Sequence, residues 1–265
     1  MMNEHAPESI ISLLQRYIAT WLAYFIFGVG AVVLMTICFP LLRLLSQNEI
    51  QRQYQSRHLV SGAFRLFISF LTNTGIMNFN ADDLSNLNRQ KGIVLVANHP
   101  TLLDYVFIAS QLTNIDCIVR ASLLKNPFLH GIITACGYIL NDDSDRVMQQ
   151  CQDHLKRGDA ILIFPEGTRT TPGTKPKLHR GAAQIALRCN VPAVALHIEC
   201  TEHWLGKTIP WYSVPERRPS VRLSVRCRLG PETFLKHDRS FALAARDLTN
   251  IIAQELLLTA NKEKY

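Results

Sequence analysis

The stretch IVLVANHPTLLD, residues 93–104, decides the fold. Its first five residues, Ile93–Ala97, are all apolar, and the polar residues His99 and Asp104 follow after a turn. A short apolar run of this kind is typical of a strand that is buried on both faces of a sheet. The segment AILIFPEGTR, residues 160–169, repeats the pattern. Two buried strands separated by helical periodicity predict an α/β domain.

The same alternation continues along most of the chain. Helical patterns and short apolar runs follow one another at 102–112, 117–119, 122–136, 138–140, 144–157, 181–189 and 193–198. Residues 221–229 alternate apolar and polar side chains, as a half-exposed strand does, and 241–258 reads as a closing amphipathic helix. We therefore expect an α/β fold, a mixed sheet covered by helices, in one domain over residues 49–265.

Composition excludes several classes of protein. The 265 residues are 48% hydrophobic, which is too apolar for an intrinsically disordered chain. The seven cysteines are scattered without CxxC spacing, so we expect reduced cytosolic thiols and neither a disulfide framework nor a cysteine-rich zinc site.

The net charge of +7 points to an acidic partner. No nucleic-acid recognition motif accompanies the charge, so we expect membrane lipids or an acidic carrier protein and no nucleic acid. Arg222, Arg226 and Arg228 are expected to share one face of the last strand. There they would dock a carrier protein or lipid headgroups, or would simply face solvent.

An uncharged run of 26 residues, 17–42, lies near the N-terminus. As a helix it would be about 39 Å long, against about 30 Å for the hydrocarbon core of a bilayer. It predicts a membrane anchor within an N-terminal segment, residues 1–48. Gly28, Gly30 and Pro40 leave open whether this anchor is one spanning helix or a helix pair in a single leaflet.

Basic residues flank this run unequally. Arg16 stands alone before it, whereas Arg43, Arg52 and Arg57 follow it. The positive side of a membrane segment faces the cytoplasm, so we expect an inner or cytoplasmic membrane location with the catalytic domain in the cytoplasm. The amphipathic segment 49–74 would then either lie on the membrane surface or pack on the core.

His99 and Asp104 are the first candidate catalytic residues. An imidazole can take a proton from an attacking hydroxyl, and a carboxylate on its other nitrogen fixes the tautomer and stabilises the imidazolium. A helix that starts after His99 would place Asp104 one turn in, within reach of the ring. The spacing alone is equally typical of a structural histidine at a turn.

The loop after the second buried strand adds candidate binding residues. Gly167 lets backbone N–H groups approach a ligand closely, and Arg169 can grip a phosphate with two parallel hydrogen bonds. Thr168 supplies a hydroxyl, and Glu166 can accept a hydrogen bond from a substrate hydroxyl. The chain has no GxSxG nucleophile motif and no Walker-type glycine loop.

Together the two loops resemble the motifs of the glycerolipid acyltransferases of the 1-acylglycerol-3-phosphate acyltransferase type, NHxxxxD and FPEGTR. The resemblance implies transfer of an acyl group from acyl-CoA or acyl-carrier protein to a lysolipid hydroxyl, with no further cofactor and no metal. It makes His99 the general base and Asp104 its orienting partner. It assigns Glu166, Gly167, Thr168 and Arg169 to the acceptor. Arg180 joins these substrate-binding residues through a weaker likeness at RGAAQIA, residues 180–186.

Two departures from the family pattern concern the acceptor and the acyl chain. The second family motif ends in an arginine, whereas ungapped alignment puts Asp143 there, within an acidic cluster that would repel phosphate. Either Arg146 reaches the substrate from a longer loop, or the acceptor is another lipid, such as an ornithine lipid or a specialised envelope lipid. Ala195 replaces a usual proline of the fourth motif and leaves chain-length preference open.

Two readings from other classes compete with acyl transfer. A His/Asp metal hydrolase would need a third ligand near His99, and none stands out in the sequence. A non-catalytic basic membrane-surface protein would not need His99, Asp104, Glu166 and Arg169 together. An acyl-transfer assay and a metal assay would separate these readings.

Overall fold

The structure is a computed structural model that describes residues 10–82, 84–171, 177–235 and 240–257. A seven-stranded sheet runs through it in the order β1-β7-β6-β2-β5-β3-β4. The strands are β1 (Asn78–Ala81), β2 (Ile93–Ala97), β3 (Ile115–Arg120), β4 (Ile139–Asn141), β5 (Ala160–Ile163), β6 (Ala193–Cys200) and β7 (Ser220–Leu229). The pair β6–β7 is antiparallel and the other pairs are parallel, which confirms the predicted mixed sheet.

Helices cover both faces of the sheet. They are α1 (Ile10–Val33), α2 (Phe39–Leu45), α3 (Glu49–Asn73), α4 (Ser85–Arg89), α5 (Asp104–Gln111), α6 (Pro127–Cys136), α7 (Ser144–Lys156), α8 (Gly181–Arg188) and α9 (Phe241–Leu257). The predicted helix at 122–136 is divided, since a 3-10 turn precedes Pro127 and the proline begins α6, where its missing N–H costs nothing. The short β1 and α4 were not predicted, because neither has an apolar run.

Two apolar cores explain why β2 has no polar residue. Ile93, Leu95 and Ala97 face a core built with α3, α5 and α6. Val94 and Val96 face the opposite core, built with α7, α8 and α9. Because successive side chains of a strand point to opposite faces, a strand with helices on both sides must be apolar throughout.

A β-bulge in β7 corrects one expectation about the basic residues of this strand. The register of β6 against β7 shifts so that Arg226 has no opposite residue. Arg222 pairs with Glu199 on one side of the shift, and Arg228 pairs with Val194 on the other. Glu199 and Val194 point to opposite faces of β6, so Arg222 and Arg228 also lie on opposite faces. The prediction of one shared basic face is therefore wrong.

The N-terminal apolar segment forms one continuous helical run rather than a helix pair. Among the described residues, Ser12–Leu45 is one helix long and apolar enough to cross a membrane, by length and composition. A π-helical turn, Leu34–Cys38, joins α1 to α2. Residues 1–9 lie outside the described part of the chain, and the domain boundary at residue 48 stays a prediction.

One side of this run packs along the catalytic domain. The ring of Phe27 lies 5.1 Å from that of Phe67 on α3, and Trp21 lies 6.2 Å from Trp211 in the loop between β6 and β7. A Cβ on Gly131 of α6 would overlap the side chain of Met35, so α6 approaches the helix closely. The helix therefore contacts the domain along most of its length.

Helix α3 packs on the core, as one of the two alternatives for segment 49–74 expected. Val60, Phe64 and Leu71 are buried against α5 and α6. The helix begins at Asn48, whose side chain accepts a hydrogen bond from the Gln51 N–H. Its exposed side keeps large apolar residues, among them Leu66, which is 76% exposed.

Candidate active site

The two motif loops leave the sheet side by side. Strand β2 lies between β5 and β6, so the loops after Ala97 and Ile163 start at the same edge of the sheet. Asn98 fixes the first loop, because its amide donates to the Ile198 carbonyl (2.8 Å) and its oxygen accepts from the Ile198 N–H (2.7 Å). These two hydrogen bonds hold the start of the loop against β6.

His99 and Asp104 form a hydrogen-bonded pair. Nδ1 of His99 lies 2.7 Å from Oδ2 of Asp104, which is the first residue of α5 and is fully buried. Thr101 completes the carboxylate shell, since its N–H donates to Oδ2 (2.8 Å) and its hydroxyl donates to Oδ1 (2.6 Å). With Asp104 ionised, Nδ1 carries the proton and Nε2 presents a lone pair, as a general base requires.

Burial opposes the ionisation of Asp104, whereas its hydrogen bonds favour it. Burial raises the pKa of Asp104 above its usual value, whereas the bonds from His99 and Thr101 lower it. The ionised form of Asp104 is therefore stabilised by the groups that donate hydrogen bonds to it. The partly exposed imidazole of His99 is the donor that can gain a second proton during a reaction.

The backbone of His99 is bonded directly to the second loop. Its N–H lies 3.2 Å from Glu166 Oε1 and 3.3 Å from Thr170 Oγ1, and its carbonyl accepts from the Thr170 N–H (2.7 Å). The Thr170 hydroxyl donates to the same Glu166 oxygen (2.7 Å). The ring of Phe164 stacks on that of His99, with 4.3 Å between centroids. Glu166 Oε1 is thus engaged by the protein, whereas Oε2 has no hydrogen-bond partner among the residues that the structure describes.

Gly167 forms a tight turn beside an arginine from the neighbouring strand. Its φ of +66° is a conformation that favours glycine. Its N–H donates to the Phe164 carbonyl (3.1 Å), and its own carbonyl accepts from Nη2 of Arg120, the last residue of β3. A guanidinium therefore lies at the FPEGTR turn although the second family motif has no arginine at its usual position.

Arg169 is turned partly toward the protein. Its Nη1 donates to the carbonyls of Leu205 (2.9 Å) and Gly206 (2.8 Å), and the Leu205 carbonyl also accepts from the Leu102 N–H (3.0 Å). Arg169 thereby joins the two motif loops to the loop after β6. Its Nη2 and Nε have no partner among the described residues, so one side of the guanidinium stays available to an anion.

The remaining predicted binding residues differ in position. Thr168 is exposed on the turn, and Arg180 is exposed just after His179, whose N–H donates to the Pro165 carbonyl (2.8 Å). Both therefore lie beside the second loop. Arg146 instead pairs with Asp142 at the start of α7 (2.9 Å) and is 64% exposed.

The acidic cluster that replaces the second family motif is used locally. The carboxylate of Asp143 accepts from the N–H groups of Asp145 (3.1 Å) and Arg146 (2.9 Å) and so caps α7. Asp142 is paired with Arg146. Local capping and pairing therefore engage the carboxylates of both Asp143 and Asp142.

A second histidine–aspartate pair lies at the opposite edge of the sheet. Asp116 and His154 are in contact, and with Asp159 they form the one group in the described ranges whose spacing suits a metal ion. Arg57 occupies that space, since it bonds Asp116 (3.1 Å) and Asp159 (3.1 Å) and also the Cys136 carbonyl (2.8 Å). The carboxylates are already neutralised by a buried guanidinium, which favours a structural ion-pair network.

Sequence reasoning missed three residues of the site, namely Arg120, Thr101 and Thr170. Arg120 ends a strand at the edge where ligands of α/β sheets bind, and this position was the available signal. Thr101 and Thr170 lie within or next to the motifs, but their hydrogen bonds depend on loop conformation that spacing does not reveal.

Comparisons with known proteins show what this chain is similar to. Residues 78–199 match the family model described as Acyltransferase. A 1-acyl-sn-glycerol-3-phosphate acyltransferase of Pseudomonas aeruginosa is 24% identical over 193 residues, which cover 71% of this chain and 73% of that protein. The enzyme of the same name from Helicobacter pylori is 34% identical over 88 residues, 31% of this chain and 37% of its own length.

The fold also has a close counterpart among solved structures. The 1-acyl-sn-glycerophosphate (LPA) acyltransferase PlsC from Thermotoga maritima superposes with a TM-score of 0.68. The superposition covers 94% of this chain and 100% of that one, at 19% sequence identity. At this identity the likeness is one of fold.

Proposed function

From the match of residues 78–199 to the acyltransferase family model, we propose that this chain acylates a hydroxyl of a lysophospholipid such as 1-acylglycerol-3-phosphate. Acyl-CoA or acyl-carrier protein would donate the acyl group. The observation that carries the proposal is the His99–Asp104 pair, bonded through the His99 backbone to Glu166 of the FPEGTR turn. A base and an acceptor site are thereby held at one edge of the sheet.

In the proposed reaction Nε2 of His99 removes the proton of the acceptor hydroxyl. The oxygen attacks the thioester carbonyl, a C–O ester bond forms, and the C–S bond breaks. The imidazolium then returns its proton to the leaving thiolate, so no covalent acyl-enzyme forms and His99 ends as it began. Asp104 stabilises the transient positive charge through its bond to Nδ1.

The acceptor phosphate would lie between the guanidinium groups of Arg120 and Arg169. Arg169 belongs to the second motif loop and bonds the carbonyls of Leu205 and Gly206, and Arg120 contacts the same motif loop at the carbonyl of Gly167. Thr168 and Arg180 stand exposed beside the same turn. Oε2 of Glu166 would accept from a glycerol hydroxyl and thereby orient the one that reacts.

A second acceptor class is favoured by one observation. Asp143 caps α7 at the place of the family's phosphate-binding arginine, and Arg146 pairs with Asp142. The site therefore presents less positive charge at this point than the family pattern does. An acceptor with a zwitterionic headgroup, such as a lyso-ornithine lipid, would suit that loss of charge.

The chain would act from the cytoplasmic surface of the membrane. The apolar helix Ser12–Leu45, together with lipid acyltransferase relatives, is consistent with membrane association. The helix packs along the domain from Trp21 to Met35, so a perpendicular span would pull the domain into the bilayer. This packing favours a helix that lies in one leaflet, with Arg43 and Arg52 at the cytoplasmic surface.

An acyl-transfer assay tests the proposal. Purified full-length protein would be incubated with a panel of lysolipids, including lysophosphatidic acid and a lyso-ornithine lipid, and with both donor types. We expect turnover with at least one pair and loss of turnover in His99→Ala. No transfer to any acceptor, or equal turnover in His99→Ala, would remove the assignment.

Membrane attachment needs its own experiment. Val29→Lys with Ile37→Lys would place two charges on the exposed side of the apolar helix, where these residues are 45% and 60% exposed. Each charge costs about 2.5–3.5 kcal/mol in hydrocarbon, so the variant should leave the membrane fraction on a high-salt wash. Wild type recovered without detergent would contradict the anchor.

A further inference from the structure

A cavity of about 190 Å³ lies at the edge of the sheet opposite the candidate active site. The starts of β2, β3 and β5 form its floor through residues such as Ile93, Ile115 and Ala160. Its volume corresponds to about six water molecules. The proposed acyl transfer uses none of its residues.

The cavity wall carries three positive charges. Arg89, Lys91 and Arg157 line it, and no carboxylate does so within the described residues. Arg89 and Lys91 have no ion-pair partner in the part of the chain that the structure describes. Asn88 and Asn114 add side-chain amides, which can donate further hydrogen bonds.

The nearest carboxylate does not cancel these charges. Asp159 pairs with Arg157 at 3.3 Å, but it also bonds Arg57 (3.1 Å) and the Asn114 amide (3.1 Å). Its negative charge is therefore shared with the buried network behind the cavity wall. The cavity keeps a net positive charge that a bound anion would neutralise.

We propose that this cavity binds a phosphate group, supplied either by a free phosphorylated anion or by the headgroup of an anionic lipid. A phosphate offers several acceptor oxygens and up to two charges, which matches a cavity lined by three cationic residues better than a single carboxylate does. Guanidinium groups such as those of Arg89 and Arg157 bind phosphate oxygens in pairs. The site is remote from His99 and does not depend on the acyltransferase reaction.

Residue-specific lysine labelling tests the proposal on the full-length protein. A lysine-directed acylating reagent would be applied with and without pyrophosphate, at matched ionic strength, and modification measured by mass spectrometry. We expect pyrophosphate to protect Lys91 in a saturable way. Lys156 is the internal control, because it is exposed on α7 and does not line the cavity. Labelling needs no acyl substrate, so its outcome is separate from that of the transfer assay.

A matched pair of variants locates the protecting anion. Arg89→Gln should raise the pyrophosphate concentration that protects Lys91 about tenfold, since one charge-assisted contact is lost. Arg43→Gln makes the same change at an exposed arginine outside the cavity and should leave protection unchanged. Equal effects of the two variants would overturn the proposal.

Vesicles distinguish the source of the phosphate. Phosphatidylcholine vesicles containing phosphatidic acid would be compared with phosphatidylcholine alone. Protection of Lys91 by phosphatidic acid but not by pyrophosphate assigns the cavity to a lipid headgroup, and the reverse assigns it to a free anion. Absence of protection by both, or equal protection of Lys156, would refute the phosphate site.

Discussion

Two histidine–aspartate pairs lie at opposite edges of one sheet in this chain, and they differ in what surrounds the ring. In both, Nδ1 of the histidine contacts Oδ2 of a fully buried aspartate, Asp104 for His99 and Asp116 for His154. The His99 side chain is 23% exposed and that of His154 is 11% exposed. The ring of His99 stacks on Phe164 of the second motif loop, whereas Arg57 bonds the carboxylate of the second pair.

The difference shows that pair geometry alone does not make a catalytic base. Asp116 interacts with both His154 and Arg57. Its negative charge therefore stabilises a network that joins α3, α7 and β3. Among the described residues, Asp104 accepts hydrogen bonds from His99 and Thr101 alone. Its charge is therefore available to stabilise an imidazolium when the ring takes a proton.

Exchanging the two histidines for alanine gives the largest contrast. His99→Ala should lower kcat by about 10²–10⁴, since a general base is lost, with the melting temperature nearly unchanged. His154→Ala should lower the melting temperature and leave the rate of the folded enzyme close to normal. Initial rates and melting curves of both variants measure this, and a rate loss in His154→Ala equal to that in His99→Ala would contradict the contrast.

Removal of the buried Arg57 should have the next largest effect. Arg57→Met leaves Asp116 and Asp159 without their main cation, which should lower the free energy of unfolding by about 3–5 kcal/mol. Arg52→Met is the matched control, because Arg52 lies on the same helix in a surface pair with Glu49 and should change stability by less than about 1 kcal/mol. Urea unfolding in detergent measures both, and similar losses would refute a structural network.

At the candidate active site, Arg169→Lys should weaken the binding of the acceptor. A lysine can still donate to the carbonyl of Leu205 or Gly206 but lacks the second side of the guanidinium. The acceptor KM should rise about 10- to 150-fold while the donor KM stays nearly constant. Arg146→Lys is the control and should change neither KM, because Arg146 pairs with Asp142. Equal losses for both substrates with a lower melting temperature would make Arg169 purely structural.

The smallest expected effect concerns Asp143, which stands where the family has an arginine. Asp143→Ala removes the cap of α7 and should cost about 1 kcal/mol, or a fall of about 2–4 °C in melting temperature. Asp143→Asn keeps the acceptor oxygen and should stay close to wild type. An acceptor KM that changes in Asp143→Asn would show that the charge takes part in binding.

The sequence predicted the parts of the fold that depend on local patterning. Buried strands such as β2 and β5 are apolar throughout, and the two motif loops follow them directly. Position at the ends of buried strands therefore predicted that His99 and Glu166 belong to the candidate site. In contrast, β1 has the residues NFNA and becomes a strand because β7 offers it a partner edge.

Long-range contacts were beyond pattern reasoning. Arg57 meets Asp116 and Asp159 across 59 and 102 residues of chain, and no periodicity connects them. The bulge at Arg226 likewise depends on the pairing of two strands, and it reversed the predicted face of part of β7. The position of Arg120 beside the second motif loop depends on the pairing of β3 with β5.

The apolar helix contacts the loop between β6 and β7, whose Leu205 and Gly206 carbonyls also accept hydrogen bonds from Arg169. Trp211 of that loop meets Trp21 and Tyr24, and Arg16 donates to the Glu216 carbonyl (2.6 Å). An enzyme held at a membrane in this way, as proposed above, would search for its lysolipid acceptor in two dimensions. Its saturation then follows the mole fraction of acceptor in the surface rather than the bulk concentration. Adding inert lipid at constant total acceptor should accordingly slow the reaction by surface dilution.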